Sequence, residues 1–307
     1  MNLKFLPYPR ILLLLVVYLN FLTAMFSQLT NKIEIQGHRG CRGHFPENTI
    51  AACIEGLRMG ASTLEIDVVI SKDNQVIVSH EPYFSHLIST HPTGLVITKD
   101  NEKSFNIYQM NVSEVQKFDV GQKVHPDFPT QQPSPAFKPT LQQLADGVRE
   151  AEKHFNLPEV RWNIEIKRNP AFDEVTHPDP ETFVRLVVEA TKNAGLLEKC
   201  NFQSFDPQIL RILKESFPQT TLAFLVHTHK LPDEHFTELG FVPHIYSPHY
   251  SLISQNVVKT CHQKGVKVIP WTVNEMDAIR EMIEYDVDGI ISDYPDRVIH
   301  VLGESNK

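Results

Sequence analysis

The chain alternates between two hydrophobic periods, and the changes from one to the other predict its secondary structure. Short apolar or period-two runs predict strands, and longer segments with apolar residues three or four positions apart predict the helices between them. Strands are predicted at residues 33–36, 64–68, 160–166, 200–203, 221–226, 245–247, 266–271 and 289–292. Helices are predicted after residue 206 and at residues 140–155, 181–194, 251–264, 275–285 and 295–302.

Eight strand–helix units in this order indicate an α/β fold, the (β/α)8 TIM barrel, because parallel strands need crossover connections. A doubly wound open sheet is the alternative that the same alternation allows. The first helix is predicted to follow residue 49 and to bury Ile50, Ala51, Ile54 and Leu57. A further strand at residues 75–79 predicts a hairpin arm on the second barrel strand.

The periodicity fades between residues 83 and 138, where prolines lie at positions 126, 129, 133 and 135. So long an irregular stretch within a compact domain is usually a functional insertion. We therefore predict one barrel domain over residues 29–307, with a cap-like segment at about 83–138 inserted after the second-strand hairpin.

The N-terminus has the pattern of a secretory signal peptide. Lys4 and Arg10 precede an apolar run at residues 11–18, and small residues follow up to position 27. Asn20 interrupts the apolar character, and the run is short for a membrane span, so an uncleaved anchor is the alternative. We expect residues 1–27 to direct export, in a bacterium to the periplasm, and the mature chain to have no stable membrane span. An uncleaved signal would leave the protein anchored to the membrane.

Composition narrows the classes of partner. The 307 residues carry a net charge of −8 without a basic stripe, which argues against nucleic acid as a ligand. The cysteines at positions 41, 53, 200 and 261 are too widely spaced for a zinc motif, and the sequence does not pair them. The sequence also leaves the oligomeric state undetermined.

Polar side chains with chemical capacity lie at the ends of the predicted strands, where a TIM barrel carries its active site. Gln203 and Trp271 are each open to two interpretations, contact with a substrate or packing at the barrel rim. The candidate residues at these strand ends are His38, Glu65, Asp67, His80, Glu165, Lys167, Gln203 and Trp271.

Three acidic residues are predicted to converge at the barrel mouth. Period-two alternation places Glu65 and Asp67 on one side of their strand, and Glu165 points into the same mouth. Buried carboxylates need a partner, and a hard divalent cation, Ca²⁺ or Mg²⁺, suits their oxygen atoms. The alternative is a set of salt bridges with the cations Arg39, Lys167 and Arg168.

These residues lie in motifs that resemble those of the glycerophosphodiester phosphodiesterases. The resemblance covers about residues 33–301, nearly all of the chain after the predicted signal. One position departs from the family pattern: an aspartate usually follows the second histidine, whereas Glu81 follows His80 here, and its extra methylene would reposition the carboxylate. The motifs are HRG at 38–40, PENT at 46–49, EIDV at 65–68, VSH at 78–80, NIEIK at 163–167, QSF at 203–205, WTVN at 271–274 and DGIISDYP at 288–295.

The resemblance implies a barrel with an insertion after the second histidine. It implies an enzyme that hydrolyses glycerophosphodiesters, which are small molecules, to glycerol 3-phosphate and an alcohol with a divalent metal. It also implies that His38 and His80 are the acid–base pair and that Arg39 and Lys167 contact the phosphate. The metal ligands that it implies are Glu65, Asp67 and Glu165.

Elementary chemistry suits this reaction. Two histidines in opposite protonation states can take a proton from a nucleophile and give one to the leaving oxygen. We predict the substrate's own 2-hydroxyl as the nucleophile, because proximity favours intramolecular attack. The first product would then be a cyclic phosphate, which water opens.

Two other functions are open on the sequence. A related phosphodiesterase could use the same histidines on phosphoinositide or sphingolipid head groups, although the insertion has no obvious amphipathic helix. A non-catalytic barrel could bind phosphate esters or calcium, but both histidines and all three acids are present. We therefore favour the glycerophosphodiester phosphodiesterase.

Overall fold

The computed structural model describes residues 33–305, whose core is a ring of parallel strands. All strands except the third are parallel neighbours, in the order β8-β7-β6-β5-β4-β2-β1-β9, and β3 pairs antiparallel with β2 as a hairpin arm. The strands are β1 Glu34–Gly37, β2 Thr63–Ile70, β3 Val76–Val78, β4 Arg161–Ile166, β5 Cys200–Ser204, β6 Thr221–Val226, β7 Ile245–Pro248, β8 Lys267–Val268 and β9 Gly289–Ser292.

Backbone hydrogen bonds nearly close the ring between β8 and β9. The N–H of Asp288 donates to the carbonyl of Val268 (2.9 Å), and the N–H of Ile291 donates to the carbonyl of Pro270 (3.0 Å). The predicted (β/α)8 barrel is therefore confirmed, and the open sheet is not formed. β8 is shorter than predicted because Pro248 of β7 has no N–H to donate to the ladder beyond Val268.

Helices on the outside connect the strands, and several of them begin after a polar cap. The side chain of Thr140 accepts a hydrogen bond from the N–H of Gln143, and Asp179 caps the helix that begins at Pro180. The helices are α1 Ile50–Arg58, α2 Val112–Val115, α3 Leu141–Phe155, α4 Pro180–Asn193, α5 Pro207–Ser216, α6 Pro232–Leu239, α7 Gln255–His262, α8 Met276–Glu284 and α9 Pro295–Ser305.

Two helical regions of the barrel differ from the prediction, and α2 in the insertion was not predicted. Helix α6 was not predicted, although Pro232 opens it and Gly240 ends it in the left-handed conformation (φ 89°). The helix predicted at 251–264 is divided into a 3-10 turn, Tyr250–Leu252, and α7. The division follows from Ser254, whose side chain accepts a hydrogen bond from the N–H of Val257 and so starts a new helix.

Helix α1 buries Leu57 as predicted, but Ile50, Ala51 and Ile54 are only half-buried. Its other buried residues include Ala52 and Gly56. The reason is a close approach to the turn after β1: a Cβ added to Gly56 would lie 2.5 Å from the carbonyl oxygen of Gly40. Small residues therefore lie where the helix approaches this turn, and Leu57 is the large residue that it buries.

The segment at 83–138 packs on the β2–β3 hairpin with its own apolar cluster. Phe84, Phe105 and Phe118 are buried there together with Val69 of β2 and Ile77 of β3. The rings of Phe84 and Phe118 are stacked, with centroids 3.8 Å apart. This segment therefore has a small core of its own, and it stands beside the carboxyl end of β3.

Within residues 33–305, no helix is long and apolar enough to cross a membrane. The predicted signal peptide lies outside the described residues. The four cysteines, at 41, 53, 200 and 261, are buried free thiols.

Candidate active site

The turn after β1 brings the first motif to the barrel mouth. Arg39 adopts a positive φ of 50° and Gly40 one of 90°. A Cβ on Gly40 would lie 2.6 Å from the backbone of Ala52, so this position needs glycine both for its conformation and for space. The turn directs the Arg39 N–H to Oε2 of Glu65 at 2.9 Å.

The three predicted acids converge. One carboxylate oxygen from each of Glu65, Asp67 and Glu165 lies within 4.8 Å of the other two, and all three residues are buried. The register of β2 and β4 pairs Asp67 with Glu165, and alternate residues of β2 point to the same side. Strand periodicity and register together therefore assemble the cluster.

Two cations lie against this acidic cluster. Nε of Arg39 is 3.4 Å from Asp67, and Nζ of Lys167 is 3.1 Å from Glu165 and 3.8 Å from Asp67. Arg168, the third cation considered from the sequence, pairs instead with carboxylates outside the cluster. Of the three cations that the sequence offered as salt-bridge partners for the cluster, Arg39 and Lys167 therefore fill that role and Arg168 does not.

These two cations leave the cluster incompletely neutralised. Oδ1 of Asp67 is buried and has no hydrogen-bond partner among residues 33–305. Burial, with the charges of Asp67 and Glu165, raises the pKa of Glu65 well above its usual range. Burial also raises the pKa of Glu165, although Lys167 opposes the shift. An unsatisfied carboxylate oxygen among carboxylates that repel one another fits a divalent cation with oxygen ligands.

His38 and His80 are each oriented by a carboxylate at Nδ1. Nδ1 of His38 lies 2.6 Å from Oδ1 of Asp293, and Nδ1 of His80 lies 2.7 Å from Oε1 of Glu81. The glutamate that departs from the family pattern therefore still reaches its histidine. A carboxylate at Nδ1 favours the tautomer with the proton there, which leaves Nε2 for proton transfer.

The two Nε2 atoms have different neighbours. Nε2 of His80 lies 2.9 Å from Nζ of Lys167, which donates to it, and Nε2 of His38 lies 3.9 Å from Oε2 of Glu65. Burial lowers the pKa of His38 to about 4, although Asp293 acts to raise it. His38 is therefore neutral at neutral pH and able to accept a proton.

Supporting residues complete the site, and the sequence motifs contained them without indicating their roles. Nδ2 of Asn48 donates to Oδ2 of Asp67 (2.9 Å), and the Asp67 N–H donates back to Asn48 Oδ1 (3.2 Å). Nδ2 of Asn274 donates to Oδ2 of Asp293 (2.7 Å), which holds the carboxylate that orients His38. Their position in motifs next to strand ends was the available signal.

Gln203 and Trp271 are both at the site, with partners of their own. Nε2 of Gln203 donates to Oε1 of Glu65 at 2.8 Å, so this amide positions an acid of the cluster. Nε1 of Trp271 donates to the carbonyl of Ser247 at 2.9 Å, and the ring meets that of Phe205 edge-on at 5.3 Å. The tryptophan thus presents an apolar surface held at a fixed orientation.

A cavity of about 150 Å³ joins these groups at the carboxyl ends of the strands. Asp67 lies behind its wall and does not line it. Every other predicted site residue lines the cavity: His38, Arg39, Glu65, His80, Glu165, Lys167, Gln203 and Trp271.

A parallel barrel whose mouth holds two oriented histidines, buried carboxylates and cations defines an enzyme that acts on an anionic substrate. The sequence matches the Glycerophosphoryl diester phosphodiesterase family over residues 38–297. The chain belongs to this family, whose enzymes hydrolyse glycerophosphodiesters, and the predicted family, barrel fold and enzyme class are confirmed.

Named relatives agree with this assignment. A glycerophosphodiester phosphodiesterase from Caldanaerobacter subterraneus subsp. tengcongensis is 29% identical over 88% of this chain and 98% of its own. A crystal structure from Silicibacter pomeroyi DSS-3, provisionally named a glycerophosphoryl diester phosphodiesterase, has a TM-score of 0.77 at 26% identity, covering 89% of this chain and 94% of its own. An Oleispira antarctica phosphodiesterase in complex with the product sn-glycerol-3-phosphate shares the fold, with a TM-score of 0.68 at 21% identity. The match covers 88% of this chain and 96% of that protein's chain.

Proposed function

We propose that this protein hydrolyses glycerophosphodiesters to glycerol 3-phosphate and an alcohol, with His38 and His80 as the acid–base pair. The observation that carries the proposal is that both histidines, each held by a carboxylate at Nδ1, line one cavity with the buried acidic cluster. The glycerol 3-phosphate bound to the Oleispira antarctica phosphodiesterase supports the same product for this chain.

Glu65, Asp67 and Glu165 would hold the divalent metal, and the proposed ion is Ca²⁺ or Mg²⁺. When bound, such an ion supplies positive charge for the phosphoryl oxygens. Arg39 and Lys167 lie beside the same cluster, and we assign them to the substrate phosphate, where their charge would stabilise the transition state.

Proton transfer is divided between the two histidines. Neutral His38 takes the proton from the 2-hydroxyl of the substrate glycerol as that oxygen attacks phosphorus. The bond between phosphorus and the leaving oxygen breaks. His80 enters this step protonated at both ring nitrogens, with Lys167 turned from its Nε2 to the substrate phosphate, and it gives the Nε2 proton to the leaving alcohol. Water then opens the cyclic phosphate, with the two histidines exchanging roles.

Turnover of a panel of glycerophosphodiesters, with and without a chelator, tests the metal-dependent reaction. We expect hydrolysis to stop on chelation and to return with Ca²⁺ or Mg²⁺. Head groups of phosphoinositides and sphingolipids belong in the same panel as competitors. Full turnover in a sample shown to be free of metal would contradict the assignment of the acidic cluster.

A substrate without the 2-hydroxyl tests the cyclic route separately. It should bind with similar affinity but turn over very slowly, because its nucleophile is missing. Phosphorus NMR during early turnover of the normal substrate should show the cyclic phosphate. Rapid cleavage of the deoxy substrate would mean that water attacks phosphorus directly.

We also propose that the protein is exported, in a bacterium to the periplasm. The support is the basic and apolar pattern of residues 1–27. Cell fractionation with N-terminal sequencing of the purified protein tests this, since cleavage near residue 27 is expected and an intact N-terminus in the cytoplasm is not.

A further inference from the structure

A second cavity opens beside the catalytic one, and the proposed reaction does not use it. Its volume is about 560 Å³, compared with about 150 Å³ for the catalytic cavity. Four residues line both, so the second cavity continues the first past the catalytic histidine. The shared residues are His80, Glu165, Lys167 and Phe205.

Hydrogen bonds connect the two walls of this second cavity. One wall comes from the inserted segment and the other from the loop between β4 and α4. Nδ2 of Asn106 in the insertion donates to the carbonyl of Val175 in the loop at 2.7 Å. The hydroxyl of Tyr108 lies 3.4 Å from a carboxylate oxygen of Glu174 in the same loop. These contacts make the cavity a built feature of the fold.

Most of the surface exposed in it is apolar, although polar and charged residues also line it. Tyr83, Phe172, Val175 and Phe205 all line it. Phe172 is 44% exposed and Val175 51% exposed, although both lie in a concave surface. Large apolar side chains that stay exposed together in a recess mark a place where an apolar ligand removes them from water.

The charges of the lining do not suit a cationic ligand. Glu81 is paired with His80, and Glu165 is paired with Lys167. Lys103, at the edge of the cavity, has no ion pair in the part of the chain described by the structure. Aromatic rings in this cavity could contact a quaternary ammonium group. However, the carboxylates of Glu81 and Glu165 are already paired, and the positive charge of Lys103 would repel such a group.

We infer that the second cavity receives the leaving alcohol of the substrate and prefers an alcohol with a neutral, apolar group. The inference rests on the proposed diesterase reaction. Glycerol and its phosphate suit the small polar cavity, whereas the short polar glycerol would leave the larger apolar cavity mostly unfilled. The leaving oxygen then departs past His80, which lies at the junction and supplies its proton.

Synthetic glycerol 3-phosphate alkyl esters test this preference in the metal-loaded wild-type enzyme. From the methyl to the hexyl ester, kcat/KM should rise by up to about fourfold for each methylene that becomes buried. The 3,3-dimethylbutyl ester should be cleaved with a higher kcat/KM than the choline ester, which has the same shape with a positive charge. A flat series, or a preference for choline, would overturn the inference.

Two matched valine variants test the location. Val175 and Val242 are 51% and 52% exposed, but Val242 precedes β7 at the other end of the strands. Val175→Asn should reduce the increase in kcat/KM for each added methylene, and Val242→Asn should preserve that increase. Equal increases in both variants would overturn the inference. Hydrolysis of the esters without a chain-length effect refutes only this inference, whereas no hydrolysis of any ester refutes the proposed function as well.

Discussion

Two polar layers lie inside the barrel, and they satisfy their hydrogen bonds in different ways. The lower layer is made of neutral amides, two residues earlier along the strands than the acids. Nδ2 of Asn163 donates to Oε1 of Gln36 (2.8 Å) and to Oε1 of Gln203 (3.0 Å), and Nδ2 of Asn201 donates to Oδ1 of Asn163 (2.6 Å). These amides pair mainly with one another, and Nε2 of Gln36 donates to the carboxylate of Glu34 (2.9 Å).

The upper layer is the acidic cluster at the barrel mouth, and its carboxylates are neither fully hydrogen-bonded nor fully neutralised by the residues around them. Asp67 keeps a buried oxygen without a hydrogen bond among the described residues, and burial with nearby charge raises the pKa of Glu65. Gln203 joins the layers, because it accepts from Asn163 and donates to Glu65. Buried polar groups that satisfy one another support the fold, whereas groups left unsatisfied are suited to a ligand. The predictions below test this division.

The largest effect is expected at the histidines of the mouth. His38→Ala and His80→Ala should each lower kcat on the order of 10²–10⁴-fold, because each removes a proton-transfer group. The double variant should lose less than the product of the two effects, since one reaction step uses both groups. Steady-state kinetics on an unactivated glycerophosphodiester measures this.

A buried histidine outside the site provides the control. His235 hydrogen-bonds through its ring to Tyr246 and Thr228, far along the chain from the motifs. His235→Ala should lower the free energy of unfolding and leave kcat unchanged. Near-wild-type kcat in either mouth variant would identify that histidine as structural.

The next effect is expected in the amide layer. Asn163→Leu leaves three hydrogen-bonding partners unsatisfied, so the free energy of unfolding should fall by about 3 kcal/mol or more. Denaturant unfolding of the chelated protein measures this. Asn256→Leu, at an exposed position of α7, should change the value by less than about 0.5 kcal/mol. Equal losses in both variants would contradict a structural role for the layer.

A smaller effect is expected when one acid of the mouth is neutralised. Glu165→Gln should weaken divalent-metal binding at least about tenfold, the loss typical of removing even an indirect partner of a metal. It should not lower the stability of the chelated protein, because it removes a carboxylate whose raised pKa reflects unfavourable burial. Calorimetric titration with Ca²⁺ and Mg²⁺ measures the binding. Glu159→Gln, at an exposed site, is the matched control, and equal metal affinity in both variants would contradict the ligand assignment.

A change of pH within the neutral range is expected to have the smallest effect on kcat/KM. His38 has a pKa of about 4, lowered by burial, so it stays neutral as pH falls from 7 to about 5. At saturating metal, kcat/KM should therefore not fall over that range and should decline only as His38 is protonated near pH 4. Asp293 acts to raise this pKa, so Asp293→Asn should move the acidic limb to lower pH. An acidic limb near pH 6.5 would contradict the assignment of His38 as the proton acceptor.

Local periodicity accounts for the parts of the fold that the sequence predicted well. The strands at 221–226 and 289–292 have the predicted bounds, and the acids of β2 point to one side as period two requires. The misses depend on tertiary contacts. Leu57 is buried as expected, but Ile50 is not, because the close approach of α1 to Gly40 is made by Ala52 and Gly56. Periodicity also could not show that Pro248 of the neighbouring strand shortens β8.

The sequence by itself determined the barrel, the family and the residue types that gather at the carboxyl ends of the strands, because these follow from short-range periodicity and motif spacing. Only the tertiary structure decided which carboxylate orients each histidine. His38 is held by Asp293, 255 positions away, because barrel closure places β1 next to β9. The cavity between the insertion and the β4–α4 loop likewise depends on a contact between distant segments, that of Asn106 with Val175. Such contacts have no local period, so the folded chain alone defines them.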